Sequence, residues 1–197
     1  MIEATARATK STEQIKQGEW RYEDYLNLPD DGRRYDIIEG ILYISNAPNF
    51  DHQYTVMEIA FHLKSFVNQN QLGYVLTAPF EIHLSDKTRP VQPDVFFIGA
   101  ERGLVRGAKY FNGPPDLVVE VLSPSTRRVD QLTKFRAYEK ATVPEYWIVD
   151  PKARLVQLYT LEDQEYGLLG DFMGDEVIES KVLAGLKIMA DSLFNHA

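Results

Sequence analysis

The segment Leu117-Val118-Val119-Glu120-Val121-Leu122 constrains the fold more than any other stretch of this chain. Apart from Glu120 it is wholly apolar, and its valines favour an extended strand. Successive strand residues face opposite sides. Val118, Glu120 and Leu122 therefore share one face, and Leu117, Val119 and Val121 share the other. A strand apolar on both faces belongs in the middle of a sheet covered on both sides. The covering layers must come from helices elsewhere in the chain.

The pattern around this strand supplies them. Asp51–Asn70 has apolar residues at helical spacing (His52, Val56, Ile59, Leu63, Phe66 and Val67), with Asp51 placed to cap its first turn and Gly73 to end it. Tyr74–Leu84, Val91–Ile98 and Asp116–Leu122 read as strands. Arg127–Ala141 reads as a second helix. Glu145–Asp150 and Arg154–Leu161 read as strands joined at Pro151-Lys152, and Tyr166–Phe172 and Ser180–Ile188 carry weaker strand signals. Arg34–Ile44 alternates around Glu39-Gly40 as a hairpin would. The expected class is α/β (α+β): a mixed central sheet flanked by helices, in the order helix, three strands, helix, strand. Residues 1–18 lack aromatics and periodicity and are expected to form a mobile tail, leaving 19–197 as a single domain.

Glu120 is the anomaly in the central strand. A buried, ionised carboxylate costs several kcal/mol unless it is paired, hydrogen-bonded or bound to a metal. Asp94 is a second such residue, because it precedes the apolar run Val95-Phe96-Phe97-Ile98. Two carboxylates meeting at one end of a sheet repel unless a cation or a proton lies between them. Hard oxygen ligands suit Mg2+ or Mn2+. Lys134 is a third. A spacing of 100° per residue groups it with Asp130, Phe135, Ala137, Tyr138 and Ala141, away from Arg128, Arg136, Glu139 and Lys140. Val129 and Leu132 fall on the charged arc, against the pattern. Two acids, a divalent cation and a lysine are the parts of a phosphodiester-hydrolysing site.

Composition removes several alternatives. No cysteine is present, which excludes disulfides, zinc–thiolate sites and a thiol nucleophile. No apolar run approaches the length needed to span a bilayer, and residues 1–18 do not read as a secretory signal, so a cytoplasmic location is expected. The formal charge of −8 argues against a generic nucleic-acid binder. That charge is uneven, however. Residues 81–140 hold ten bases and eight acids, so this segment stands at +2 and the remainder at −10.

Longer motifs carry a resemblance. Arg34-Tyr35-Asp36-Ile37-Ile38-Glu39-Gly40, Pro93-Asp94-Val95, the block Pro114–Thr126, Asp130-x3-Lys134-x3-Tyr138 and Val143–Pro151 resemble the Uma-two family over roughly residues 20–195. That family groups bacterial nucleases of restriction-endonuclease-like fold in the PD-(D/E)xK superfamily. The resemblance implies an αβββαβ core with added N- and C-terminal strands. It implies Asp94 and Glu120 as Mg2+ (or Mn2+) ligands, the Val121 carbonyl as a further ligand, and DNA as substrate, with RNA the alternative. It also implies a homodimer. The lysine expected two residues after the glutamate is replaced by Leu122, and Lys134 is the substitute. Glu39 and His52 are candidates for an early accessory ligand, since Glu58 lies off the apolar face of its helix. Asp130 and Tyr138 are further accessory candidates, and Arg102, Arg106, Lys109, Arg127 and Arg128 are candidate phosphate contacts.

Plainer readings stand beside these. Glu120 and Lys134 would also serve as a structural ion pair, and Asp130 and Lys134 as a helix-surface pair. His52 on an apolar face reads first as a core or first-turn histidine. Ser123–Thr126 reads as a strand end and helix cap rather than a nucleophile, and Tyr146 and Trp147 as core aromatics. The alternative to a nuclease is a catalytically inactive nucleic-acid-binding or protein-interaction module on the same fold.

Overall fold

The computed structural model describes residues 15–123 and 129–195. A short helix, α1 (Tyr22–Tyr25), precedes the hairpin of β1 (Arg34–Ile38) and β2 (Ile41–Ser45). The long helix α2 (Phe50–Asn70) leads to β3 (Gly73–Thr77), β4 (Glu81–His83), β5 (Val95–Gly99), β6 (Tyr110–Asn112) and β7 (Leu117–Val121). A π-helical turn, Val129–Lys134, runs into α3 (Phe135–Lys140). The chain ends in β8 (Glu145–Asp150), β9 (Leu155–Glu162), β10 (Glu165–Phe172), β11 (Val177–Glu179) and β12 (Lys187–Met189). Among the described residues, no helix is long and apolar enough to cross a membrane.

Six strands form one mixed sheet in the order β10-β9-β8-β7-β5-β3. Only β7 and β8 run parallel within it; the other neighbours are antiparallel. Every residue of β7 and of β8 is buried, as a two-sided apolar run requires. On one face, Val56, Ile59, Leu63 and Val67 of α2 pack on Val95, Phe97, Val119, Val121, Trp147 and Val149. On the other, Ala137 and Tyr138 of α3 and Ile38 of the hairpin cover Phe96, Ile98, Val118, Leu122, Tyr146 and Ile148. Each fully buried aliphatic side chain contributes roughly 1.5–3 kcal/mol, so these layers fix where α2 and α3 sit over the strand ends.

Several local expectations are corrected. Asn49, not Asp51, caps α2, accepting the His52 amide at 3.0 Å. The helix ends on Gln71 in the left-handed region (φ 56°), two residues before Gly73. The expected strand Tyr74–Leu84 is two strands, β3 and β4, parted around Pro79, which has no amide to donate to a ladder. Val91 makes only an isolated bridge to Ile82, so β5 begins at Val95. The strand expected over Ser180–Ile188 is a pairing of β11 with β12 that flanks an irregular stretch. β6, which pairs in parallel with β4, has no counterpart among the expected strands.

Residues 1–14 of the expected tail lie outside the described residues. Nearer the domain, the Gly18 and Trp20 amides both donate to the Gly40 carbonyl, at 2.8 and 3.0 Å. A Cβ at Gly40 would come within 2.5 Å of the Gly18 carbonyl oxygen, and Gly40 has φ 73°, so both the turn and the close approach require glycine there.

Candidate active site

The site begins with strand register. Val95 pairs with Val119 across β5 and β7, and one further step along this antiparallel ladder sets Asp94 opposite Glu120. The Val121 amide donates to Asp94 Oδ2 at 2.9 Å, tying the two strand ends together. The remaining donors reach Asp94 from other layers. Arg34 at the start of β1 donates from Nη1 to Oδ1 at 2.7 Å. His52 in the first turn of α2 places Nε2 at 3.2 Å from Oδ2. Burial would raise the Asp94 pKa, but the His52 hydrogen bond and the charges of Arg34, His52 and Lys134 outweigh it. The carboxyl is held well below the usual carboxylate range and is ionised at neutral pH.

Glu120 is completely buried. Its Oε1 accepts from Lys134 Nζ at 2.9 Å and from the Tyr138 hydroxyl at 2.7 Å. Lys134 and Tyr138 are four residues apart, one turn of helix, so both reach the same oxygen from above the sheet. Burial and the adjacent Glu120 push the Tyr138 hydroxyl far above its ordinary pKa, so it remains a donor. The expected helix opens as a π-helical turn over Val129–Lys134, and Leu132 is exposed on the solvent side, where the helical spacing places it.

Asp36, Arg34 and Gln92 were not among the residues singled out from sequence. Asp36 is buried in β1, accepts the Gln92 amide at 2.9 Å and lies 3.7 Å from Lys134 Nζ. Its signal was an acid inside the apolar stretch Tyr35–Ile38, the same signature that marked Glu120. Burial works against the charge on Arg34, but Asp94, Asp36 and Glu120 more than compensate and raise its pKa. Among the described residues, three buried carboxylates thus surround two fixed cations, Arg34 and Lys134, with His52 beside them. A cavity of about 630 Å³ opens above the Asp94 end of this network, lined by Arg34, Asn49, His52, Gln92, Asp94 and Ser123 among others. Glu120 and Lys134 lie behind it, 0% and 2% exposed.

The other expected residues go elsewhere. Glu39 is in the left-handed region of the hairpin turn and forms an exposed ion pair with Lys140 at 2.9 Å, which lowers its pKa. It does not approach Asp94. Arg102 bonds Asp116 and the Pro114 carbonyl, and Asp116 accepts the Gly99 amide. That ties Arg102 to the far end of β5, where Gly99 stands about 16 Å from Asp94 at ~3.3 Å per residue. Arg106 and Lys109 are exposed in the loop that follows. Arg127 and Arg128 lie outside the described residues, as does the side chain of Asp130. Tyr146 and Trp147 are fully buried core aromatics.

No three His, Asp or Glu side chains among the described residues stand close enough to hold a metal together. Mg2+ needs fewer, since it keeps several waters and takes one or two carboxylates. Ionised Asp94 and buried Glu120 are donors of the right hardness, although Arg34, His52 and Lys134 already neutralise them and would compete with a bound cation. The donor set fits a hard divalent cation, provided Arg34 or His52 yields an Asp94 oxygen.

A family model described as "Putative restriction endonuclease" matches residues 22–191. The chain belongs to the Uma2 family. Among solved structures, this Uma2 member resembles a protein from Anabaena variabilis ATCC 29413 described as a putative nuclease. The TM-score is 0.75 at 20% identity, covering 88% of this chain and 97% of that one. At that identity the likeness establishes the fold. No protein with a curated description matches the chain. Family and fold together support a nuclease, restriction-endonuclease-like role for this Uma2 protein.

Proposed function

We propose that this protein is a divalent-metal-dependent endonuclease that hydrolyses phosphodiester bonds in DNA. The observation that carries this reading is the linked pair of buried acids on adjacent strand ends, Asp94 beneath a cavity and Glu120 against Lys134. Asp94 and Glu120 would hold Mg2+ or Mn2+, beside the Val121 backbone. The bound cation supplies a polarised phosphoryl oxygen and a water of lowered pKa. Arg34 and His52 fix the Asp94 carboxylate and keep it ionised. Lys134, held by Glu120 and Tyr138 behind the cavity, would stabilise charge that develops on the phosphoryl group only where binding opens the network toward it. Two copies acting together would cut both strands, since one such site cuts one.

Plasmid nicking in Mg2+ tests the assignment. Wild type should nick, while Asp94→Ala and Glu120→Ala should fall to background; equal activity in all three refutes the site. The closure of Glu120 and Lys134 behind the cavity, with Leu122 in the usual lysine position, favours a second reading. In that reading the fold is a catalytically inactive binding module. Calorimetric titration with Mn2+ separates the two, because only the enzyme should bind metal and lose it in Asp94→Ala.

A further inference from the structure

Separate stretches of chain line the cavity above Asp94. They are the loop into β1, the connection from β2 with the first turns of α2, the Ala78-Pro79 step after β3, Gln92 with Asp94, and Ser123 after β7. The side chains of Asp94 and His52 are only 3% and 8% exposed, so the acid is recessed at the floor rather than spread on a surface.

Volume and charge both limit what enters. Cavities of roughly 300–1,000 Å³ enclose ligands of drug size, and one nucleotide is a ligand of that size. The cavity of about 630 Å³ therefore takes such a unit. A duplex is a different object. It brings the phosphates of both strands, about one charge per 1.7 Å of axis, and proteins hold it with many unpaired Lys and Arg. Here the charged side chains on the wall balance, Arg33 and Arg34 against Asp30 and Asp94. Both arginines are already engaged, Arg33 by Asp31 and Arg34 by Asp94, each at 2.7 Å. The net charge of −8 further opposes a broad backbone contact. What the rim does offer is neutral amides, since Asn46, Asn49 and Gln53 are all exposed there. An amide side chain both donates and accepts, which suits the Watson–Crick edge of a base. In a duplex that edge is taken by the opposite strand.

We infer that the cavity takes one unpaired nucleotide, so that the substrate is a single-stranded or locally melted stretch of nucleic acid rather than intact duplex. The base meets the amides of the rim, and its phosphate lies toward Asp94. This rests on the nuclease reading for its chemistry but not for its binding.

Fluorescence anisotropy of the full chain tests the binding, with a short labelled DNA strand alone or annealed to its complement, and EDTA present so that no chemistry intervenes. The single strand should bind about tenfold tighter, because only an unpaired base presents its edge to the amides. Ala47→Trp, exposed at the cavity mouth, should fill the space and abolish the preference, with folding checked by circular dichroism. In Mn2+ the single strand should be cut and its duplex spared. Supercoiled plasmid, which melts locally, should be nicked while relaxed plasmid is not. Equal or tighter binding of duplex, no binding of either, or a preference that folded Ala47→Trp retains overturns the inference. Selective binding without cutting counts against the enzyme alone, and equal cutting of duplex and single strand counts against the unpaired nucleotide alone.

Discussion

Replacing Lys134 by methionine tests the buried network most sharply. Methionine matches the length and apolar stem of lysine, so the change removes charge with little change of volume. Glu120 would be left 0% exposed, with Tyr138 still donating to Oε1 but its cation gone. Asp36 would lose the same cation at 3.7 Å. Removing one partner of a buried pair costs about 3–5 kcal/mol. For a chain of this size that lowers the Tm by roughly 6–20 °C. Glu120→Gln should also destabilise, but by less, since Lys134 keeps Asp36 at 3.7 Å. The double variant should recover much of the loss, because a neutral, well-packed replacement of a buried pair is often tolerated. Asp36 loses Lys134 but keeps the Arg34 charge and the Gln92 amide, so the recovery should be nearly complete. Urea unfolding followed by circular dichroism and by tryptophan fluorescence gives all four corners of the cycle, and coincident transitions justify a two-state treatment. A coupling energy of about 2 kcal/mol or more is expected. Additive single effects, or single losses below about 1 kcal/mol, would refute the claim that Glu120 and Lys134 sustain one another.

Three further outcomes follow from the same geometry. The folded chain holds the Asp94 pKa below its ordinary value, so ionised Asp94 contributes stability above pH ~3.9, and that contribution is lost as pH falls further toward the folded value; the urea midpoints of wild type and Asp94→Asn should differ at pH 7 and begin to converge only below about pH 4, and convergence starting above pH 5 contradicts a depressed pKa. Arg102→Ala should cost about 1 kcal/mol through its partly buried pair with Asp116, yet leave plasmid nicking unchanged; a large fall in nicking with stability retained would place Arg102 at the substrate after all. Asn49→Ala removes the cap of α2 and should cost about 1 kcal/mol, with Asn49→Asp nearly neutral; an equal loss in both, read from thermal melts, would show that the cap bond is not the relevant contact.

How much of this was legible in the chain depends on how local each signal was. Glu120 and Asp94 stood out because an acid inside an apolar strand run is visible within a few residues. Lys134 stands out because helical spacing sets it apart from the solvent charges, although it closes a π-helical turn rather than a regular helix. Asp36 carries the same mark as Glu120, an acid inside an apolar run, three residues before the candidate Glu39. Glu39 belongs to a hairpin turn, where the left-handed backbone carries its side chain out to Lys140. Arg34 and His52 meet Asp94 across 60 and 42 positions of sequence, and only the packed layers reveal those contacts. Arg102 follows Asp94 closely in the chain, but the strand β5 separates them and Arg102 bonds Asp116 at its far end.

Helix α2 carries Asn49, His52, Gln53 and Val56 at the cavity wall, and Phe50, Met57 and Phe61 on its outer side. One rigid rod therefore borders two surfaces that have nothing else in common. Whatever tilts or rotates it is felt at both.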